Sequence, residues 1–208
     1  MLRRVAAKDL GAFKALVELY QGRVLGLCAR LLNHPQNAED VAQDVFFQIY
    51  RASGTFRHES RVSTWIYRIV VNRCHNFNRD GRRADPLAGT HRGAAYGDAD
   101  GPDVAAPEEA DPAAAWSLNE TRAIVRKAVA SLPEKQRTML VLNKFEGRSY
   151  REIAEIMDVS LASVESCLHR AKLNLEAELA LRFPELVRDR KFGPATRVQR
   201  DEDEQAKT

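Results

Sequence analysis

Residues 149–172 read Ser-Tyr-Arg-Glu-Ile-Ala-Glu-Ile-Met-Asp-Val-Ser-Leu-Ala-Ser-Val-Glu-Ser-Cys-Leu-His-Arg-Ala-Lys, and their reading decides the fold class. Two helix starts are separated by a short polar break. Ser149 and Glu152 have capping-box spacing, in which the serine accepts from an orphan amide and the glutamate reaches back. Ser160, after the Asp158-Val159 turn, is placed to cap a second helix. Ile153, Met157, Val159, Val164 and Leu168 are spaced to close one apolar seam between crossed helices, with Ala154 small where they come closest. The pattern predicts a helix-turn-helix whose second helix turns Ser163, Glu165, Ser166, His169, Arg170 and Lys172 away from the seam. Hydrogen-bonding groups at the start of such a helix suit a DNA major groove. An αα-hairpin in an ordinary bundle has the same periodicity, so the segment alone leaves that alternative open.

Working outward, the N-terminal block also reads as helix. Leu10, Phe13, Leu16, Val17, Tyr20, Val24, Leu27 and Leu31 recur at spacings of three and four, the signature of an amphipathic helix. Asn33-His34-Pro35 breaks it. Asn37 is placed to cap a second helix, with Val41, Val45, Ile49 and Ala52 on one side and Glu39, Asp40, Gln43, Asp44 and Gln48 on the other. After a loop, Ser63 is expected to cap a third helix, with Ile66, Ile69, Val70, Arg73 and Phe77 in register. Its outer face carries Arg68, Asn72, Arg73, His75, Asn76 and Arg79 and ends at Arg82-Arg83. No period-two strand pattern and no internal repeat occur, so the class is all-α.

Charge divides the chain of 208 residues. Residues 1–83 hold 14 Lys and Arg against 7 Asp and Glu, residues 84–115 hold one against seven, and residues 116–183 hold 11 against 9. A basic block beside an acidic one fits a polyanion-binding domain next to a segment that imitates a polyanion. Residues 84–115 are mainly Ala, Gly, Pro and Asp, which bury too little surface to offset ordering entropy. This predicts two small helical domains, 1–83 and 116–183, joined by a flexible acidic linker. The polar residues 184–208 are expected to fray. No apolar run is long enough to span a membrane, and the N-terminus lacks an export signal. Cys28, Cys74 and Cys167 are odd in number and scattered, which gives no disulfide framework. The expected location is the cytoplasm.

Five stretches carry a family resemblance. Ala-Glu-Asp-Val-Ala-Gln-Asp-Val-Phe-Phe-Gln-Ile-Tyr-Arg-Ala (38–52), Thr-Phe-Arg-His-Glu-Ser (55–60) and Ser-Thr-Trp-Ile-Tyr-Arg-Ile-Val-Val-Asn (63–72) closely resemble region 2 of sigma-70-family initiation factors. Ser-Leu-Pro-Glu-Lys-Gln-Arg-Thr-Met-Leu-Val-Leu (131–142) and Phe-Glu-Gly-Arg-Ser-Tyr-Arg-Glu-Ile-Ala (145–154) resemble region 4. The compact extracytoplasmic-function (ECF) group, built of domains 2 and 4 alone, fits best.

The resemblance implies a set of surfaces. Asp40, Val41, Gln43, Asp44, Phe47, Gln48 and Arg51 would dock on the clamp helices of the largest subunit of core RNA polymerase, and domain 4 on its flap. Phe56, Arg57, Ser60, Trp65, Tyr67, Arg68, Asn72 and Arg73 would bind and melt the −10 element, where an extruded base needs a pocket and the backbone needs cations. The helix-turn-helix, Tyr150 to His169, would read the −35 element through Ser163, Glu165, Ser166, His169, Arg170 and Lys172. The linker would thread toward the polymerase cleft. An anti-sigma factor would hold the chain inactive, in the cytoplasm or at the membrane.

The chain departs from the family at Glu165 and Cys167, where basic residues are usual. Two lost cations would weaken phosphate attraction, while a glutamate can accept from cytosine N4 or simply pair with a neighbouring cation. A helix-turn-helix regulator acting without core polymerase, and a sigma-like adaptor or decoy, are the alternatives. The pairs Cys74-His75 and Cys167-x-His169 offer two ligands per domain, too few for a structural metal site, and no phosphate-cradling loop or nucleophile motif occurs. No cofactor and no enzymatic activity are expected.

Overall fold

The computed structural model describes residues 1–57, 59–84 and 112–182. The bulk of the expected linker, the expected tail and His58 lie outside the described residues. Among the described residues the structure consists of eight α-helices and two single 3₁₀ turns.

Domain 2 is built from α1 (Leu2–Ala6), α2 (Leu10–Leu31), α3 (Ala38–Ala52) and α4 (Val62–Ala84). Asp9 starts α2 by accepting from the Ala12 amide at 2.9 Å. That bond first, with the Arg4 guanidinium behind it, holds the Asp9 carboxyl below its ordinary range. Leu16 and Leu27 of α2, Val45 and Ile49 of α3 and Val70 of α4 are fully buried together. The sequence pattern misses α1, which is too short for periodicity to show. Two expected caps are corrected. Asn37 makes no side-chain cap bond; Glu39 and Asp40 in the first turn of α3 complement the helix dipole instead. Helix α4 begins at Val62, and the Trp65 amide bonds the Arg61 carbonyl, so Ser63 lies inside the first turn.

Domain 4 comprises α5 (Pro112–Ala130), α6 (Glu134–Lys144), α7 (Tyr150–Met157) and α8 (Leu161–Arg182). Helix α5 opens on Pro112, inside the span expected to be linker, because proline suits a first helical position. Gly147, with φ of +62°, lets the Arg148 amide return to the Leu142 carbonyl at 2.9 Å and close α6; a left-handed residue there favours glycine. The capping box at Ser149 and Glu152 is present in both directions. Burial raises the Glu152 carboxyl, but the Ser149 bonds and Arg148 together outweigh it and hold the group below its usual value. Asp158 ends α7 in the left-handed region, φ 52°, and Ser160 caps α8 through the Ser163 amide. Ile153, Val164 and Leu168 form the expected seam, with Ile156 added to it.

The two domains pack on each other, α6 against α2 and α7 against α4, so the buried apolar residues form one continuous cluster. Replacing Ser149 with alanine removes the side-chain half of the box, the hydroxyl that accepts from the Glu152 amide, and leaves the residue 149 amide donating to the Glu152 carboxylate. We expect a loss of about 1 kcal/mol, read as a lower denaturant midpoint for the domain 4 transition. The penalty shrinks in acid, since stability from a depressed glutamate is present above the unfolded value and lost as pH falls through the folded one.

Candidate polymerase and nucleic-acid interfaces

Helix α3 presents Asp40, Gln43, Asp44, Phe47, Gln48 and Arg51 to solvent along one stripe. Phe47 is 58% exposed, with the Arg51 guanidinium 4.7 Å from its ring. An apolar ring surrounded by acids and amides is costly to leave in water and suits a protein partner. Val41, expected in this surface, is 1% exposed; it belongs to the domain core, and the docking stripe excludes it.

Helix α4 has two buried faces and one open one. Ile66, Val70 and Cys74 face the domain 2 core, while Tyr67, Val71 and Asn78 are buried on the adjoining side. Arg68, Asn72, Asn76 and Arg79 remain exposed. Phe56 and Trp65 pack ring to ring at 5.4 Å between centroids, both half-buried, and Arg57 and Ser60 flank them in the loop. Trp65 is therefore partly core and partly available. Arg73 departs from the open face: it lies half-buried toward α3 and forms an ion pair with Asp44. The stripe on α3 and helix α4 are thus linked by one charge pair.

The inner side of α4 meets domain 4 through polar contacts. The Tyr67 hydroxyl donates to Glu146 at 2.7 Å, and the Arg148 guanidinium stacks 4.7 Å over its ring. Burial, with Glu146 beside it, pushes the Tyr67 pKa up to about 12, so the phenol stays a donor. Arg68 donates to the Glu155 carbonyl, and His75 bonds Thr138 at 2.9 Å. At the end of α2, the Leu31 carbonyl accepts from both Asn78 and Arg137 at 3.0 Å. Arg137 also donates to Asn33 at 2.9 Å, and Asn78 to Glu134 at 2.9 Å. Sequence reasoning missed Asn78, Glu134, Arg137, Thr138 and Glu146. One signal was available: Ile66-Tyr67 and Val70-Val71 make the apolar stripe of α4 too wide for a helix packed on one side.

Helix α8 leaves Ser163, Glu165, Ser166, His169 and Arg170 exposed and Lys172 half-buried. Arg170 folds back to the Ser166 carbonyl at 3.3 Å. Glu165 makes no ion pair with the described residues, so the pairing alternative does not hold there. Cys167 is 8% exposed, and burial raises its thiol pKa. It points into the domain, so only Glu165 alters the charge of the outer face. Cys28 and Cys74 lie with their sulfurs 3.8 Å apart. The Cys74 thiol donates to Cys28, and that bond, with burial, raises its pKa; a buried protonated thiol is a poor nucleophile.

Comparison with known proteins agrees with this layout. Sigma-70 region 2 matches residues 16–84, and Sigma-70, region 4 matches residues 122–175. The RNA polymerase sigma-H factor of Pseudomonas aeruginosa is 37% identical over 182 residues, covering 86% of this chain and 92% of that protein. The ECF RNA polymerase sigma-E factor of Escherichia coli is 35% identical over 172 residues, covering 83% and 88%. Among solved structures, RpoE of Bartonella quintana in complex with the anti-sigma factor NepR aligns with a TM-score of 0.61 at 20% identity, covering 82% of this chain and 98% of that one. CnrH in complex with the cytosolic domain of CnrY aligns with a TM-score of 0.60 at 23% identity, covering 87% and 96%. Those two likenesses speak to the fold. Identity at this level along most of both chains, with two domain matches in order, carries the assignment: the chain belongs to the ECF group of the sigma-70 family of RNA polymerase sigma factors.

Proposed function

We propose that the chain directs core RNA polymerase to its promoters as a non-enzymatic specificity subunit. Asp40, Gln43, Asp44, Phe47, Gln48 and Arg51 dock on the clamp helices of the largest subunit, and domain 4 docks on the flap. The open face of α4, with Phe56, Trp65 and the loop between them, binds and opens the −10 element. The outer face of α8 reads the −35 element. An anti-sigma factor holds the chain inactive in the cytoplasm; no described helix is long and apolar enough to cross a membrane.

The observation that best supports this reading is the exposed α3 stripe, with Phe47 at its centre. An aromatic ring left in water among acids and amides suits a surface that a protein partner covers. Run-off transcription with core polymerase, with and without the chain, on a promoter library tests it. Transcripts that depend on the chain support the reading. A chain that fails to co-purify with core points to a free-standing regulator, and one that binds core without directing transcripts points to an adaptor.

Three variants separate the surfaces. Asp40→Ala with Phe47→Ala leaves the Asp44–Arg73 pair intact and should weaken core binding about tenfold or more, since a central aromatic anchor carries most of such an interface. Pull-down of the variant at unchanged helical content reads this out.

Arg68→Ala with Asn72→Ala should leave core binding in place and block opening of duplex promoters. A pre-melted bubble should partly rescue it, because the unpairing cost has then been met. Permanganate reactivity equal to that of the parent chain would refute the assignment of this face.

Glu165→Arg should change which −35 sequences are selected. Arginine favours guanine through N7 and O6, whereas glutamate can only accept. A bidentate contact is worth about 1–3 kcal/mol of discrimination, so roughly tenfold shifts should appear in a selection from random sequence. A uniform gain across all sequences would mean that Glu165 reads no base.

A further inference from the structure

We infer that Leu161 and Glu165 give this chain a base preference of its own: Glu165 selects a cytosine, and Leu161 selects the methyl group of a thymine about one or two base pairs away. The inference rests on the assignment of α8 to the −35 element. The outer face of α8 has fewer free hydrogen-bonding groups than its sequence promises. The Ser163 hydroxyl accepts from the Ser160 hydroxyl at 3.1 Å, and the Ser166 hydroxyl donates to the Ser163 carbonyl at 3.2 Å. Arg170 Nε donates to the Ser166 carbonyl. These bonds tie the serines and the arginine into the helix itself. Glu165 and His169, both exposed, make no hydrogen bond or ion pair with the described residues. Leu161, the first residue of α8, is 41% exposed. Positions 161, 165 and 169 follow one another at spacings of four, so they share one face.

Charge is arranged along that face in a definite order. A DNA-binding surface meets phosphates with cations, but the start of α8 cannot do so. Leu161 and Ala162 are apolar and Glu165 is anionic, while Arg170 and Lys172 come only later. The beginning of the helix therefore suits base edges and its later turns suit the backbone. That order matches a recognition helix whose N-terminal residues meet the bases.

The chemistry of the groove then names the bases. A carboxylate can only accept, and in the major groove only cytosine N4 and adenine N6 donate. The adenine amine sits between two acceptors, its own N7 and O4 of the paired thymine, and both repel a carboxylate. The cytosine amine has an acceptor on one side alone, O6 of the paired guanine. Cytosine is the better partner for Glu165. Leu161 offers apolar surface only, and the thymine methyl is the apolar group of the groove. Four residues of helix advance about 6 Å against about 3.4 Å per base pair, which sets the spacing of the two bases.

The test uses holoenzyme reconstituted from core polymerase and the full-length chain. A promoter library randomised across the −35 element is bound, recovered and sequenced for the parent chain, for Glu165→Ala and for Leu161→Ser. Both positions are exposed, and circular dichroism checks that helical content is kept. The parent should enrich cytosine at one position, with thymine within about two base pairs, roughly tenfold over other bases. Glu165→Ala should lose the cytosine and keep the thymine, and Leu161→Ser should do the reverse. Single-group changes in the best recovered site isolate the contacts. Pyrimidin-2-one in place of the cytosine removes the amine, and uracil in place of the thymine removes the methyl. Each should weaken binding by the parent severalfold or more, and binding by the matching variant much less; that comparison cancels any effect of altered base pairing. A cytosine preference that survives Glu165→Ala, or a best site with no such cytosine, overturns the inference and leaves α8 as the −35 reader. A thymine preference unaffected by Leu161→Ser rejects the role of Leu161. The absence of any −35 preference overturns the inference together with the −35 assignment of α8.

Discussion

One helix has to serve two packing partners and still keep a surface for ligand. Successive positions on an α-helix are about 100° apart. The row through Ile66, Val70 and Cys74 therefore lies one step from the row through Tyr67, Val71 and Asn78, and another step from the row through Arg68, Asn72, Asn76 and Arg79. The first row closes the core of domain 2, the second is buried beside domain 4, and the third is open. Everything assigned to α4 follows from this division. Arg73 falls on the border toward α3 and meets Asp44, so it is a linking charge rather than a free one.

The second row meets its partner in an unusual way for a buried surface. Val71 supplies apolar contact, but Tyr67, His75 and Asn78 end in polar groups that need partners when water is excluded. Glu146, Thr138, Glu134 and the Leu31 carbonyl provide them. Apolar burial gives this interface its bulk, while the hydrogen bonds fix its register. A wholly apolar face would hold the domains more permanently and would leave a sticky patch whenever they parted.

Much of the fold was legible because its signals are local. The capping box at Ser149, the left-handed Asp158 and the cap at Ser160 act within a few residues, and each leaves a mark in the sequence. The breaks at Asn33-His34-Pro35 and the apolar spacing of α2 did the same. Helix α1 was hidden by its length, and Pro112 by an acidic composition that masked a helix start. The surfaces were harder to read. Val41 sits in the middle of a stripe of polar neighbours, yet its position on the helix turns it inward. Cys167 looked like a cation lost from the recognition face, but it is part of the seam. The inter-domain bonds join residues up to 106 positions apart, as Arg137 and Leu31 are, and no local pattern encodes such a pairing. Only the doubled apolar width of α4 hinted at it.

Whether the two domains hold one arrangement in the free chain is the point on which the rest turns. Pulsed dipolar spectroscopy between spin labels at Gln21→Cys and Glu176→Cys, both exposed positions, measures this directly; the native cysteines are buried. The packing of α6 on α2 and α7 on α4 predicts a single narrow distance, no greater than about 40 Å, for the chain alone. Core polymerase with promoter DNA should shift it to a much longer one. A broad distribution in the free chain, unaltered by core, would contradict the account.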